Sequence, residues 1–129
     1  MFHSSSILSI TRVNSSVKDL FAFVFNLSNL ELEVLSLLIK NNPKYLTLEG
    51  LSRIAARDKS TVHRSLQKLV NERIVHKETR TQKERGYYHI YCSVDHQSLK
   101  RETEKRIAEL EKGFSRLLCN FEVDLQKLD

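Results

Sequence analysis

The sequence predicts a mainly α-helical fold with one small β-hairpin and a long C-terminal helix. Three observations predict it. Residues 47–75 carry two short helical patterns split by a tight polar break. Two stretches rich in aromatic and β-branched residues, Ile74 to Thr79 and Tyr87 to Val94, then flank a polar break that contains Gly86. From Asp95 onward, apolar residues recur at steps of three and four almost to the end. The chain of 129 residues has the length of one ordinary domain with an appended element.

The elements follow in order. Residues 1–13 read as an N-terminal tail or loose strand. The opening stretch lacks a basic n-region and a long apolar core, so it is a poor signal peptide. The longest apolar run, Leu20 to Phe25, is far too short to span a bilayer. Val17 to Phe25 reads as a very apolar helix, with a strand as the competing reading because Phe and Val favour strands. Ser28 with Glu31 three residues on is a capping box. It opens a second helix with Leu32, Val34, Leu35, Leu38 and Ile39 inward. Asn41-Asn42-Pro43 ends that helix, because proline disfavours helix for the residue before it.

Thr47 is a good N-cap for the next helix, which carries Leu48, Leu51, Ile54 and Ala55 on one face. The break is Arg57-Asp58. The following helix starts at Asp58 or Ser60 and sets Val62, Leu66 and Leu69 on one stripe with Ser65 between them. Its other face shows Lys59, Ser60, Thr61, Arg64, Gln67 and Lys68. So short a helix is not stable alone and must pack its stripe on a core. The basic, hydroxyl-rich face is left for water or a partner. Two helices joined by a tight turn, the second presenting donors outward, is the helix-turn-helix plan for entering a DNA major groove. The hairpin that follows directly, with a basic tip, is then a wing.

Asp95 caps the last helix, expected to run to about Leu128. Ile107, Leu110, Phe114, Leu117, Phe121 and Leu128 form a heptad-like seam, interrupted by Asp124 and flanked by charge. A helix of about 34 residues is ~50 Å long, against ~25 Å for a compact domain of the remaining size. Much of it must project, unless it folds back on its own domain. An exposed stripe of this kind is an aggregation liability unless paired, and a homodimer is the simplest remedy. The expected organisation is a tail at 1–13, a winged helix-turn-helix at 14–94 and a coiled-coil-like dimerisation helix at 95–129.

Charge sharpens the reading. The net charge is +5, and residues 57–91 hold nine Lys/Arg against four acids. The rest of the chain has twelve of each and is neutral. Basic charge confined to one segment, on top of the helix pair, is a footprint for a polyanion. Cys92 and Cys119 form no C-x-x-C pair, so a zinc site has no thiolate framework. Two isolated thiols fit a reducing cytoplasm. No P-loop, G-x-S-x-G or H-E-x-x-H is present, and no catalytic set emerges.

Residues 28–94 resemble winged helix-turn-helix regulators of archaeal or bacterial type, of the TrmB and MarR groups. The resemblance is carried by Leu27-Ser28 with Glu31 and Val34-Leu35, and by Thr47 with Leu51. It continues in Lys59-Ser60-Thr61-Val62 with Arg64 and Leu66, in Leu69 through Ile74-Val75, and in Gly86-Tyr87-Tyr88. It covers about half the chain, and such proteins often carry a C-terminal dimer helix. Two turns depart from the pattern. Ala56-Arg57 stands where the group usually has Gly and an apolar residue, and Arg73 stands where it usually has Gly. Either these turns are built differently or they absorb roughly 1–2 kcal/mol of left-handed strain each. No sugar-binding or enzymatic second domain is expected in a chain of this length.

The resemblance implies a role for each exposed residue of the second helix. Ser60 and Thr61 would bond phosphates or bases, Arg64 would reach a base edge, Gln67 could read adenine, and Lys59 and Lys68 could meet phosphates. His63, beside Arg64, is either a contact or an ordinary surface histidine. Lys77, Arg80, Lys83 and Arg85 would set the wing on the DNA backbone or in the minor groove. His76 and His89 could face each other across the hairpin near Cys92, but no fourth metal ligand is evident. No metal or cofactor is therefore expected. The reading is a cytoplasmic, homodimeric, sequence-specific double-stranded DNA-binding regulator, joined through Ile107, Leu110, Phe114, Leu117 and Phe121. Two alternatives stay open: a winged-helix protein-interaction module, and a nucleic-acid binder without sequence preference.

Overall fold

The computed structural model describes residues 10–12, 14–84 and 86–128. Most of the expected N-terminal tail lies outside these residues, as does Arg85, one of the expected wing residues. Helix α1 is Val17–Val24 and α2 is Asn29–Asn41. A two-residue strand β1, Leu46–Thr47, leads into α3, Leu48–Ala55, and α4 is Lys59–Asn71. Strands β2, Val75–Gln82, and β3, Gly86–Ser93, form the hairpin. Helix α5 is His96–Cys119 and α6 is Phe121–Gln126. No helix among the described residues is long and apolar enough to cross a membrane.

The helix starts are written locally. The Ser28 hydroxyl accepts from the Glu31 N–H while Glu31 accepts from the Ser28 N–H at 2.9 Å, which is the expected capping box. Thr47, Asp58 and Asp95 each cap the next helix by accepting from the third residue on. Val17 to Val24 is helical rather than extended, and it buries Phe21 and Val24.

The helix ends explain the departures from the family pattern. Ala56 (φ 55°) and Arg73 (φ 68°) are both left-handed, as a glycine would be. Each closes a Schellman motif. The Arg57 N–H bonds the Ser52 carbonyl at 3.1 Å and the Ala56 N–H bonds that of Arg53. In the same way the Ile74 N–H bonds the Leu69 carbonyl and the Arg73 N–H bonds that of Val70. The Ser52 hydroxyl also donates to the Arg57 carbonyl, and Ile74 is fully buried. The turns therefore keep the glycine geometry and absorb its cost through these bonds and contacts.

The sheet has three strands in the order β1-β3-β2, all antiparallel, rather than the two expected. Two residues are too few to show a strand period, so β1 leaves no sequence signal. The core lies between α1, α2, the helix pair and the inner half of β3. It contains Phe25, Leu35, Leu38, Leu51, Val62, Leu66, Leu69 and Ile74. One inward assignment fails. Ile54 is 57% exposed, and Ser52 takes an inward position instead. At 100° per residue, Leu51, Ser52 and Ala55 share one direction and Ile54 falls on the flank.

The terminal helix is not continuous. It stops at Cys119, because Asn120 leaves helical geometry (φ −98°, ψ 12°) before α6 begins. Asparagine competes with the helix for backbone partners and is at home at helix ends. The expected ~50 Å rod is therefore a 24-residue helix, ~36 Å long, followed by a short second piece.

Candidate nucleic-acid interface

Helix α4 packs Val62, Ser65, Leu66 and Leu69 inward. A period of 3.6 residues then aims Ser60, Arg64, Gln67 and Asn71 outward, and all four are exposed. Lys59 is exposed and His63 is half-buried on a flank. The sequence places Lys59, Ser60, Thr61, Arg64, Gln67 and Lys68 on the presented face. The structure brings Ser60, Arg64 and Gln67 together there, adds Asn71, and turns Thr61 and Lys68 to the far flank.

The two hydroxyls are less available than their positions suggest. Ser60 Oγ donates to Asp58 Oδ2 at 2.5 Å, and Thr61 Oγ1 donates to Asp58 Oδ1 at 2.6 Å. A hydroxyl has one proton, and a phosphate only accepts. Either group must leave Asp58 before it can donate to a phosphate. These two bonds, with the Thr61 N–H, hold the Asp58 carboxyl down at about 2, so it is ionised at neutral pH. From sequence, Asp58 reads only as a helix start.

The cations differ in what they already touch. Lys59 stands 3.7 Å from Glu49, and both are well exposed. Lys68 pairs with Glu72 at 3.6 Å. Glu72 also takes Arg106 of α5, whose Nη2 donates to the Glu72 carbonyl at 2.9 Å. Lys68 thus sits beside a tether between α4 and α5. Arg80 pairs with Glu78 at 2.9 Å. Arg64, Lys77 and Lys83 have no ion pair among the described residues, and all three are exposed.

The hairpin register corrects one juxtaposition. His76 stands opposite Cys92 and His89 opposite Thr79, so the two histidines do not face each other. Strand pairing depends on hairpin-loop length, which sequence alone located only approximately. Thr79 Oγ1 lies 3.1 Å from His89 Nδ1, giving that ring a local partner. Cys92 is buried.

A polar groove of about 320 Å³ separates α4 from the base of the wing, lined by Gln67, Val70, Asn71, Lys77 and Tyr91. Sequence reasoning missed Asn71 and Tyr91. Counting on from Gln67 by one helical turn would have found Asn71. Tyr91 shows itself only through its register opposite Lys77.

The seam residues part company. Ile107 packs against the core, and Leu110 is half-buried. Phe114, Leu117 and Phe121 are more than half exposed, as are Leu118 and Leu128. Beside Ile107, an apolar groove of about 350 Å³ runs between α1 and α5, lined by Val17, Leu20, Phe21, Leu99, Thr103 and Ile107 among others.

A helix pair with a Schellman turn, a three-stranded antiparallel sheet and a projecting hairpin directly after the second helix define a winged helix-turn-helix protein. Solved structures share that fold. A possible transcriptional regulator from Methanosarcina mazei Go1 matches with a TM-score of 0.75 at 21% identity, over 86% of this chain and 95% of its own. The ST1889 protein of the archaeon Sulfolobus tokodaii matches at 0.62 and 19%, over 74% and 92%. A mutant of MepR from a multidrug-resistant S. aureus clinical isolate matches at 0.52 and 18%, over the full length of both chains. In sequence, the uncharacterized protein MJ1503 of Methanocaldococcus jannaschii is 29% identical over 91 residues, 70% of this chain and 67% of that protein. The chain belongs to the TrmB family, described as sugar-specific transcriptional regulators, whose family model matches residues 21–97.

Proposed function

We propose that this protein is a homodimer that binds double-stranded DNA sequence-specifically and so regulates transcription, in a reducing cytoplasm. One observation carries the reading. The segment that holds the whole +5 excess also contains the outward face of α4 and the wing, with Arg64, Lys77 and Lys83 free of ion pairs among the described residues. Helix α4 is the recognition helix: Arg64 reads a base edge in the major groove. Lys83, at the hairpin tip, holds the backbone. The exposed apolar residues of the C-terminal segment join two chains about a two-fold axis. The two recognition helices then meet half-sites about one helical turn apart, ~34 Å or a multiple, and the operator is an inverted repeat.

The test is a salt titration of duplex binding, with selected and random sequences side by side. Affinity should fall with salt at a log–log slope of about −0.9 per phosphate contacted. Arg64→Ala should cost about 1–3 kcal/mol on the selected sequence and relax its choice. Lys83→Ala should weaken every sequence alike and flatten the slope by about one. A response flat in salt, or no binding at low salt, would refute DNA binding and favour a protein-interaction module. Equal binding of selected and random DNA would leave a binder without sequence preference.

A further inference from the structure

The groove between α4 and the wing has features that a solvated crevice lacks. Four of the five residues that line it carry side-chain donors: Gln67, Asn71, Lys77 and Tyr91. No carboxylate among the described residues lines it. The nearest strand acid, Glu78, is held elsewhere, accepting from the Tyr45 hydroxyl at 3.2 Å and from Arg80.

Tyr91 is the informative member. It is only 2% exposed, yet its hydroxyl has no hydrogen-bond partner among the described residues. Every fully buried side-chain oxygen or nitrogen among those residues does have a partner. The Tyr91 oxygen therefore keeps some accessible surface, and Tyr91 lines this groove. A phenol buried along its ring and left unpaired at its tip is held for something that accepts a hydrogen bond. Burial pushes its pKa up, so it keeps its proton at neutral pH and can donate.

Gln67 and Asn71 lie on the same outward side of α4 as Arg64, so the groove opens toward whatever that face meets. Lys77 comes from the opposite wall, directly across the hairpin from Tyr91. We infer that this groove is a phosphate clamp: Lys77, Tyr91, Asn71 and Gln67 together hold one phosphodiester group of the duplex that α4 engages. The inference rests on the DNA-binding reading and deepens it. It takes Gln67 away from base reading, and it adds two contacts, Asn71 and Tyr91, that carry no sequence information. The clamp fixes how deep α4 sits and at what angle.

The test uses the full chain, labelled for nuclear magnetic resonance, with a short random-sequence duplex. The side-chain amide signals of Gln67 and Asn71 should shift on addition. Tyr91→Phe removes only the oxygen and should melt as the parent does. It should weaken selected and random duplexes alike, roughly five-fold, with an unchanged salt slope because the lost donor is neutral. Lys77→Ala should weaken both and flatten the slope by about one. A duplex that binds without moving the two amides, or a Tyr91→Phe protein with parental affinity, overturns the clamp and leaves DNA binding standing. Inorganic phosphate that moves those amides when the duplex does not would reassign the groove to a free anion and also overturn it. A duplex that does not bind at all removes the DNA reading and the clamp with it.

Discussion

The two halves of α5 have the same sequence grammar and opposite surroundings. In residues 96–107, Leu99 and Thr103 are buried, Ile107 packs on the core, and Arg106 reaches Glu72 with its guanidinium 5.1 Å from the Phe25 ring centroid. In residues 108–119 the apolar stripe continues through Phe114 and Leu117, but more than half of each side chain faces solvent. The difference shows what helical periodicity specifies. It fixes that a stripe exists and which way it faces. It does not say whether the stripe is covered by its own chain or by another. Here the body covers the first three turns, Leu110 is half-buried at their edge, and Phe114 and Leu117 beyond it lie more than half exposed.

The largest effect should come from breaking the uncovered half. Burying a Phe or Leu is worth roughly 1.5–3 kcal/mol, so several seam residues on two chains make a strong interface. Phe114→Glu with Phe121→Glu should give a monomer in light scattering. Duplex affinity should fall by about 10²–10⁴, because two linked half-sites become one. The circular dichroism of the winged-helix body should persist. A wild-type protein that is monomeric at tens of micromolar would sink the dimer outright.

The covered half should respond in the opposite way. Leu99→Ala opens a cavity in the body and should cost about 2–5 kcal/mol of folding stability. Leu118→Ala, at a 70% exposed position, should change the stability of the monomeric variant by no more than about 0.5 kcal/mol. Chemical denaturation of both in the Phe114/Phe121 background separates folding from assembly. Similar losses at the two sites would mean that the distal half is packed on its own chain after all.

This contrast also marks what the sequence made legible. Capping boxes and N-caps act within four residues, so Ser28, Thr47, Asp58 and Asp95 announced their helices. The fully buried stripe of α4 was legible for the same reason: one helix supplies all its members. Ile54 was misplaced because its three-residue step from Leu51 fits a helix pattern, while the inward direction is set by which neighbours the helix meets. The break at Asn120 turns on one backbone angle inside a strongly periodic run. The groove was illegible because it joins α4 to β3, and only the hairpin register sets Tyr91 against Lys77. Ser60 and Thr61 stand at the expected place, but their commitment to Asp58 is a matter of rotamers.

The tether between body and projecting helix is the next weaker link. Arg106 donates to Glu72 and Glu102 with all three side chains less than a quarter exposed. Such a pair sits between an exposed ion pair, worth about 0–1 kcal/mol, and a buried one that costs several to break. Arg106→Met keeps the stem over Phe25 and removes the charge. It should cost about 1–2 kcal/mol of stability. Hydrogen exchange should quicken in residues 96–107 before it does in α2. Uniform exchange across the body would show that Arg106 does not hold the helix down.

The smallest effect, and the only gain, should come from the two left-handed turns. Both belong to the body. Arg73→Gly and Ala56→Gly each relieve roughly 1–2 kcal/mol of left-handed strain. Each also gives back about 0.4–1 kcal/mol by loosening the unfolded chain. The net should lie between about zero and a gain of about 1.6 kcal/mol per site. Ala56→Gly should give the cleaner number, since Arg73→Gly also removes a cation from the basic segment and should weaken DNA binding if that cation contributes. The increments should be the same in the wild-type protein and in the Phe114/Phe121 variant if the turns are independent of the proposed assembly. Increments that differ between the two backgrounds would mean that the helix ends feel the proposed assembly, and the division between a self-covered body and an uncovered arm would have to be redrawn.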